Sequence, residues 1–134
     1  MRNGEANRRG GFTFIELMVV VAVTVILLCL AIPHLTQSIT RTKESVLHNN
    51  LFTIRMAMHN YCFDKGKCPQ SLQDLVAEGY LKTIPTDPMN NDSTQWRTVT
   101  EDGTQSLNQD EPGIRDVHSG SDKTSLEGTR YAEW

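Results

Sequence analysis

The sequence lacks the residue patterns on which enzyme catalysis depends. It has no glycine-rich phosphate loop, no nucleophile–base constellation and no pair of acids in an evident pocket. Its four histidines show no metal-ligand spacing, and the chain contains no Cys-x-x-Cys-His haem motif. These absences argue against an enzyme, and we expect a structural role instead.

The chain also lacks a strongly basic surface. It carries 13 Lys and Arg against 16 Asp and Glu, which gives a formal net charge of −3. Residues 36–82 are mildly basic and residues 87–134 are acidic. A nucleic-acid footprint needs a basic patch or stripe, so the sequence predicts no nucleic-acid partner. The split in charge is compatible with docking between copies or with an ordinary solvated surface.

Cysteine is scarce, and two of the three cysteines lie close together. Cys29 falls inside an apolar run, whereas Cys62 and Cys68 flank a short polar loop. Disulfides persist in oxidising compartments outside the cytoplasm. If this region is extracytoplasmic, we expect a disulfide between Cys62 and Cys68; two free thiols are the alternative.

The apolar residues are concentrated near the N-terminus. Residues 12–32 contain a single charge, Glu16. At about 1.5 Å per residue this run spans ~32 Å, close to the ~30 Å hydrocarbon core of a bilayer. Arg2, Arg8 and Arg9 precede it, which by the positive-inside rule places the N-terminus in the cytoplasm. An ordinary cleaved signal peptide fits poorly, because no small-x-small cleavage site follows the run.

Glu16 is costly in this position and therefore a functional candidate. A carboxylate within a membrane helix costs about 2.5–3.5 kcal/mol on insertion scales. No Lys or Arg follows within two helical turns, so a cationic partner has to come from elsewhere. If the chain is cut before Phe12, the new α-amino group of a neighbouring copy can supply that charge. A plain membrane anchor whose carboxylate reaches the interface is the alternative.

The residues from Gly11 to Ala22, beginning Gly-Phe-Thr-Phe-Ile-Glu-Leu, resemble the class III signal of type IV prepilins and type II secretion pseudopilins. Pro33 matches a proline of that family. The resemblance implies cleavage between Gly11 and Phe12 by a prepilin peptidase and N-methylation of Phe12. It also implies that Glu16 pairs with the N-terminus of a neighbour. Pro33 is then expected to kink or loosen the filament helix, since proline cannot donate to the helix ladder.

The sequence after Pro33 predicts an amphipathic helix that extends to about Tyr61. Apolar residues at spacings of four and three define one face, which we expect to pack on a C-terminal subdomain. These residues are Leu47, Leu51, Ile54, Met58 and Tyr61.

The remaining residues predict a small α+β subdomain. A capping box at Ser71 and Asp74 starts a short helix that Gly79 ends. Residues 80–88 hold two prolines and form an extended loop, and the acidic residues 101–112 form a mobile loop. A small antiparallel sheet is predicted from three strands, at residues 95–100, 114–118 and 131–134. With the long N-terminal helix, this gives an α+β fold, which the resemblance to prepilins identifies as the pilin fold.

The tail resembles a narrower family, the G-type major pseudopilins of type II secretion. The resemblance lies in residues 80–88, Trp96, residues 113–122 and residues 128–134. The sequence departs from the family at residues 89–91, where Met-Asn-Asn replaces Trp-Gly-Asn, and at Cys68, where an aromatic residue is usual. The implied organisation is a leader at 1–11, a transmembrane and filament-core helix at 12–35, and a periplasmic domain at 36–134. That domain comprises the amphipathic helix 36–62 and the subdomain 63–134.

Many major pseudopilins bind calcium, so the resemblance also predicts a calcium site. Asp122 matches a family ligand position, Glu127 is the nearest substitute for later paired aspartates, and Ser119 can add an oxygen. Calcium binds six to eight oxygens. A solvated serine-rich turn is the alternative.

The resemblance implies a structural subunit of a periplasmic pseudopilus at the bacterial inner membrane. Its expected partners are further copies of itself, minor pseudopilins, the inner-membrane assembly platform and the prepilin peptidase. Two alternatives stay open: a type IV pilus pilin for adhesion, motility or DNA uptake, and a membrane-anchored binding module that keeps its leader.

Overall fold

The computed structural model describes residues 10–104 and 111–134 of the chain. The chain divides into two compact units, of which the first ends at Gln37 and the second covers Ser38–Trp134. The elements in chain order are helix α1 (Phe14–Lys65), helix α2 (Leu72–Ala77), strand β1 (Arg97–Thr100), strand β2 (Ile114–His118) and a 3₁₀-helix, η1 (Tyr131–Glu133).

The first unit consists of the apolar part of α1. Its large apolar side chains are half or more exposed along nearly the whole segment. One stretch of α1 is long and apolar enough to cross a bilayer, and none of that stretch is buried by the rest of the chain. Thr24, a polar residue within it, donates its hydroxyl to the Val20 and Val21 carbonyls at 2.9 and 2.8 Å. Such back-bonding satisfies the hydroxyl without water.

The second unit is built on the predicted amphipathic face of α1, and that prediction is confirmed. All five residues of the face are buried. They form one core cluster with α2, β2, η1 and the connecting loops. The other members of the cluster are Ala57, Leu72, Leu75, Leu81, Met89, Trp96, Ile114, Val117 and Tyr131.

The end of α1 lies four residues beyond the predicted Tyr61. The helix continues to Lys65 and ends at Gly66, whose φ of 67° is in the left-handed region that glycine tolerates. The Gly66 N–H donates to the Cys62 carbonyl at 3.0 Å. The predicted loop after Cys62 is therefore largely a last helical turn.

The short helix α2 starts and ends as predicted. The Asp74 carboxylate accepts a 2.9 Å hydrogen bond from the Ser71 N–H, the reciprocal half of a capping box. Gly79 follows the helix with a φ of 83°. The loop at residues 80–88 contains no helix, in agreement with its two prolines.

Within residues 10–104 and 111–134, the sheet has two strands where three are predicted. β1 and β2 pair antiparallel, with Arg97 opposite His118 and an irregularity between Val99 and Thr100. The predicted third strand is wrong, because Tyr131–Glu133 is one 3₁₀ turn. In a strand, residues 131 and 134 would point to opposite faces. The 3₁₀ turn instead brings the Tyr131 and Trp134 rings into edge contact, 5.1 Å between centroids.

Two connections near the sheet complete the second unit. A disulfide joins Cys62 and Cys68, as the sequence predicts. Directly after it, the Pro69 carbonyl accepts a 2.7 Å hydrogen bond from the Ile114 N–H at the start of β2. The disulfide loop is thereby attached to the sheet. Much of the predicted mobile loop, residues 105–110, lies outside the described residues.

Candidate assembly site

Thr13 determines where α1 begins. Its side-chain oxygen accepts a 3.3 Å hydrogen bond from the Glu16 N–H, and its carbonyl accepts from the Leu17 N–H at 3.2 Å. Thr13 is thus the N-cap and Glu16 the third helical residue. The helix starts at Phe14, two residues after the predicted start at Phe12. The capping role of Thr13 is not among the predictions from the sequence, although the Thr-x-x-Glu spacing is the signal that identifies such a cap.

Gly11 and Phe12 precede the helix and are exposed. The Phe12 side chain is 79% exposed, and a Cβ added to Gly11 would meet nothing within 4 Å. The chain's own packing therefore does not require glycine at position 11. A requirement for glycine at this position would therefore have to come from a protein that binds this segment. The Gly11–Phe12 bond lies in accessible, non-helical chain, which a peptidase can bind in an extended form.

Glu16 lies exposed in the first turn of α1. No Lys or Arg side chain lies within ion-pairing distance of its carboxylate in residues 10–104 and 111–134. A carboxylate near a helix N-terminus interacts favourably with the helix dipole, typically by about 0.3–1 kcal/mol. That is less than the cost of placing a carboxylate in a membrane, so Glu16 retains the capacity to bind a cation.

Pro33 lies inside α1, which is helical on both sides of it. Because proline has no N–H, the carbonyl of Cys29 loses its usual helical donor. The Thr36 hydroxyl donates to the Pro33 carbonyl at 3.0 Å one turn later. The helix therefore passes through Pro33 with one ladder hydrogen bond fewer. The predicted contribution of this position to filament flexibility stays a prediction.

Glu44, on α1, attaches the C-terminal segment to the helix. Its carboxylate accepts 2.8 Å hydrogen bonds from the Leu126 N–H and from the Tyr131 hydroxyl. Burial, together with the hydrogen bond and negative charge of Glu44, raises the pKa of Tyr131 to about 12. The Tyr131 hydroxyl therefore stays protonated, and keeps donating, throughout the neutral range.

Arg55 makes a second attachment three turns later. Its guanidinium donates to the Asp116 carboxylate at 2.7 Å, and to the carbonyls of Val117 and Trp134 at 2.9 and 2.7 Å. Partial burial of Asp116 opposes ionisation, but hydrogen bonds from Arg55 and from the Val117 N–H outweigh it and lower the pKa of the Asp116 carboxyl. One side chain thus joins α1, β2 and the end of the described chain.

Glu44, His48 and Arg55 carry no sequence signal that predicts a role for them. Their spacings of four and seven residues place them on one flank of the helix beside the core face. His48 stacks on Trp134 with ring centroids 4.1 Å apart. Polar residues beside the buried face of a helix indicate that the helix makes polar contacts with another part of the protein. Their spacing does not identify the residues that they contact.

The residues predicted for calcium do not fit such a site. The Asp122 carboxylate accepts a 2.9 Å hydrogen bond from Arg97. Ser119 is buried and donates its hydroxyl to the Asp87 carboxylate at 2.6 Å, and Glu127 is exposed. No group of three or more His, Cys, Asp or Glu side chains able to hold a metal ion occurs in the part of the chain that the structure describes. Calcium prefers several oxygens around one point, whereas Asp122 and Ser119 bind different partners.

These features define the class of protein. An uncovered apolar helix with a lone first-turn acid follows an exposed Gly-Phe junction, and a small α+β domain is built on the later turns of the same helix. This is the arrangement of a pilin-like filament subunit. In agreement, the family model for the prokaryotic N-terminal methylation motif matches residues 6–32.

Comparison with curated proteins identifies the family. The chain is 30% identical to the type II secretion system core protein G of Pseudomonas aeruginosa, over 65% of this chain and 72% of the relative. It is 28% identical to the protein of the same name from Escherichia coli, over 64% and 70%. It is also 28% identical to the competence protein ComGC of Halalkalibacterium halodurans, over 57% and 74%. No solved structure matches the chain. The chain belongs to the type II secretion system core protein G family.

Proposed function

We propose that this chain is the structural subunit of a type II secretion pseudopilus, which polymerises through its N-terminal helix to support protein export across the outer membrane. The observation that carries the proposal is the uncovered apolar part of α1 with Glu16 at its start. An apolar helix of this length is stable in lipid or against other such helices, and not in water. A subunit that moves from membrane to filament uses both environments.

Processing creates the partner that Glu16 lacks. Hydrolysis of the Gly11–Phe12 bond by a prepilin peptidase releases the leader and leaves an α-amino group on Phe12. N-methylation of this amine, from a methyl donor, preserves its ability to carry a positive charge. The amine lies just before the Thr13 cap, outside the helix, where a neighbouring copy can approach it.

Pairing between Glu16 and a neighbour's amine sets the register of assembly. Among apolar helices, sliding changes the packing energy little, because apolar contacts are not directional. A single acid in a low-dielectric environment is satisfied only where the opposite charge meets it. The pair therefore selects one axial offset between copies, in the same way that a lone polar residue fixes register in a coiled coil.

The arginines before the apolar run support the proposed topology. By the positive-inside rule they favour a cytoplasmic N-terminus, and with that orientation the domain at residues 38–134 is periplasmic. A periplasmic location agrees with the Cys62–Cys68 disulfide. The partners are other copies, minor pseudopilins, the assembly platform of the inner membrane and the prepilin peptidase.

A type IV pilus pilin is the second candidate. The similarity to the competence protein ComGC favours it, but that match covers less of this chain than the matches to core protein G do. A pilin of this kind would form a surface fibre and would not be required for protein export.

The experiment is a deletion in the source bacterium, complemented with the wild-type chain. If the proposal is correct, exported proteins accumulate in the periplasm of the deletion strain and return to the medium on complementation. The N-terminal peptide of the complementing chain begins at methylated Phe12. Normal export in the deletion strain, together with loss of a surface fibre, contradicts the secretion role and supports the pilus. An intact leader in cells with an active prepilin peptidase contradicts both filament functions.

A further inference from the structure

The two halves of the Cys62–Cys68 disulfide differ in accessibility. Cys62 lies in the last turns of α1 and is partly exposed, whereas Cys68 is 7% exposed. Gly113, the residue before β2, lies directly against Cys68, because a Cβ added to Gly113 would lie 2.7 Å from the Cys68 Cβ and 2.6 Å from its carbonyl oxygen. The chain at Gly113 therefore covers Cys68 and leaves Cys62 as the accessible half of the disulfide.

A hollow in the surface leads to Cys62 and not to Cys68. Its volume is about 320 Å³, and it is lined by His59, Cys62, Phe63 and Gly66. None of these residues is a Lys, Arg, Asp or Glu, and Phe63 is 83% exposed. A protein that carries a reactive group within an apolar rim can cover the Phe63 ring and bring that group to Cys62.

A second cavity beside the disulfide is less suited to such a partner. Its volume is about 400 Å³, and both cysteines line it. Four charged side chains line it as well, those of Arg55, Glu101, Arg115 and Asp116. An apolar rim placed there would remove water from these charges without supplying opposite ones, which is unfavourable. The favourable approach to the disulfide is therefore from the side of Phe63.

We propose that Cys62 is a thiol–disulfide exchange site for a dithiol protein of the thioredoxin fold. A thiolate of that protein attacks the Cys62 Sγ and forms a mixed disulfide with it, and the Cys68 Sγ leaves as a thiolate. The second thiolate of the partner then attacks the partner's own sulfur in the mixed disulfide, and Cys62 leaves as a thiolate. Two electrons and two protons pass from the dithiol to this chain, which ends with two thiols, while the partner ends with a disulfide.

Contacts that do not involve sulfur hold the segment between the two cysteines. The Asp64 carboxylate accepts a 2.9 Å hydrogen bond from the Tyr80 hydroxyl, and Lys65 pairs with Glu78 at 2.7 Å. Neither contact depends on the bond between the two sulfurs, so we expect the reduced chain to keep its two thiols close together. An oxidised partner can then reverse the exchange and restore the disulfide.

The inference goes beyond the proposed function, and only its setting in the periplasm rests on that function. In an oxidising compartment the disulfide is the persistent form, and exchange at Cys62 allows the chain to be reduced and reoxidised there. The chemistry itself requires neither a filament nor a membrane. It can therefore be tested on the purified chain.

The test uses the purified full chain in detergent and a thioredoxin whose resolving cysteine is replaced by serine. Such a thioredoxin stops after the first step, so the mixed disulfide accumulates. Free thiols are then alkylated, and trypsin separates the two cysteines because it cleaves after Lys65 and Lys67. We expect thioredoxin on the Cys62 peptide and the alkyl group on Cys68, with about tenfold less of the opposite arrangement, because access decides which sulfur is attacked.

Three outcomes would overturn the inference. They are attachment chiefly at Cys68, equal attachment at both cysteines, and no trapped complex from the folded chain. Each of these leaves the proposed function intact, since export and filament formation are measured separately. Exchange at Cys62 in a chain that forms no filaments would overturn the proposed function alone.

Replacement of Phe63 gives a second readout and distinguishes a protein dithiol from a small thiol. Phe63→Ser should slow reduction by thioredoxin about tenfold, because the ring is the apolar contact of the partner, and should leave reduction by dithiothreitol unchanged. The matched control is Phe52→Ser, which is also exposed on α1 but does not line the hollow, and it should change neither rate.

An unchanged rate of reduction by thioredoxin in Phe63→Ser contradicts the inference. A slower reaction with both reductants would show that Phe63 acts on the disulfide itself, and would also contradict it.

Discussion

The hydroxyl of Tyr131 and the carboxylate of Glu44 are joined by a 2.8 Å hydrogen bond, although the two residues are 87 positions apart in the chain. Tyr131 is buried, with 2% of its surface exposed. The bond fixes the C-terminal segment to α1, beside the stack of His48 on Trp134. The helix through which we propose that copies polymerise therefore also anchors the last residues of the domain at residues 38–134.

This bond predicts an alkaline limit of stability. The pKa of Tyr131 is about 12 in the folded chain, against about 10 for an ordinary tyrosine. A group with a raised folded pKa contributes stability that is complete below its unfolded pKa and is lost as the pH rises through its folded pKa. We expect the melting temperature to fall between about pH 10 and 12. In Tyr131→Phe this fall should be smaller. An equal fall in both proteins would show that Tyr131 does not titrate as described.

The ion pair between Arg55 and Asp116 predicts that the folded domain loses stability at acidic pH. Because the pKa of Asp116 is lowered in the folded chain, its contribution is present above the unfolded pKa and is lost as the pH falls through the folded pKa. We expect Arg55→Met to lower the free energy of unfolding by about 1–2 kcal/mol at neutral pH and to flatten its decrease in acid.

The matched control for Arg55 is Arg97→Met, which breaks a more exposed ion pair with Asp122. Exposed pairs contribute about 0–1 kcal/mol, so Arg97→Met should have little effect on stability. Equal losses in the two variants, measured by denaturant unfolding, would contradict the role given to Arg55.

The Cys62–Cys68 disulfide predicts redox-sensitive stability. A closed loop this short is worth about 2–2.5 kcal/mol in the chain-entropy model. We expect the double substitution Cys62→Ser with Cys68→Ser, or reduction of the wild-type protein, to lower the melting temperature. Cys29→Ser is the control, since Cys29 lies in the first unit and forms no disulfide. Equal melting with and without reductant would contradict the prediction.

Calcium is expected to have no effect on stability. Binding at Asp122 would have to break its pair with Arg97, and in the described residues Asp122 belongs to no group of three or more His, Cys, Asp or Glu side chains that could hold a metal ion. The melting temperature should be the same in millimolar calcium, in magnesium and in a chelator. A saturable rise that is specific to calcium would contradict this expectation and restore the site predicted from the family resemblance.

Much of the fold could be predicted because the relevant signals are local. The buried face of α1 follows from helical periodicity, and the predicted bounds of β2 agree with those in the structure. The prediction of a third strand is wrong for a physical reason. Residues 131–134 are rich in aromatics, which favour strands, but Tyr131 and Trp134 are three positions apart and share one side only in a helical turn.

The residues of the candidate site also fall into those that a local sequence signal identifies and those that depend on the tertiary fold. Gly11, Phe12 and Glu16 lie within six residues, so a linear motif identifies them. Thr13 could have been recognised as well, because its capping signal is local. The bonds from Glu44 to Tyr131 and from Arg55 to Asp116 join residues 87 and 61 positions apart, and no spacing rule links such pairs. They depend on the tertiary fold.

The most direct test of the account is the filament yield of Glu16 variants. Cells that lack the native subunit express wild-type chain, Glu16→Ala or Glu16→Asp, and sheared filaments are quantified against membrane-bound subunit. We expect Glu16→Ala to be inserted and cleaved after Gly11 but to give at least tenfold fewer filaments, with partial recovery in Glu16→Asp, because only a carboxylate can pair with the neighbour's amine. Wild-type filament yield from Glu16→Ala would contradict the account.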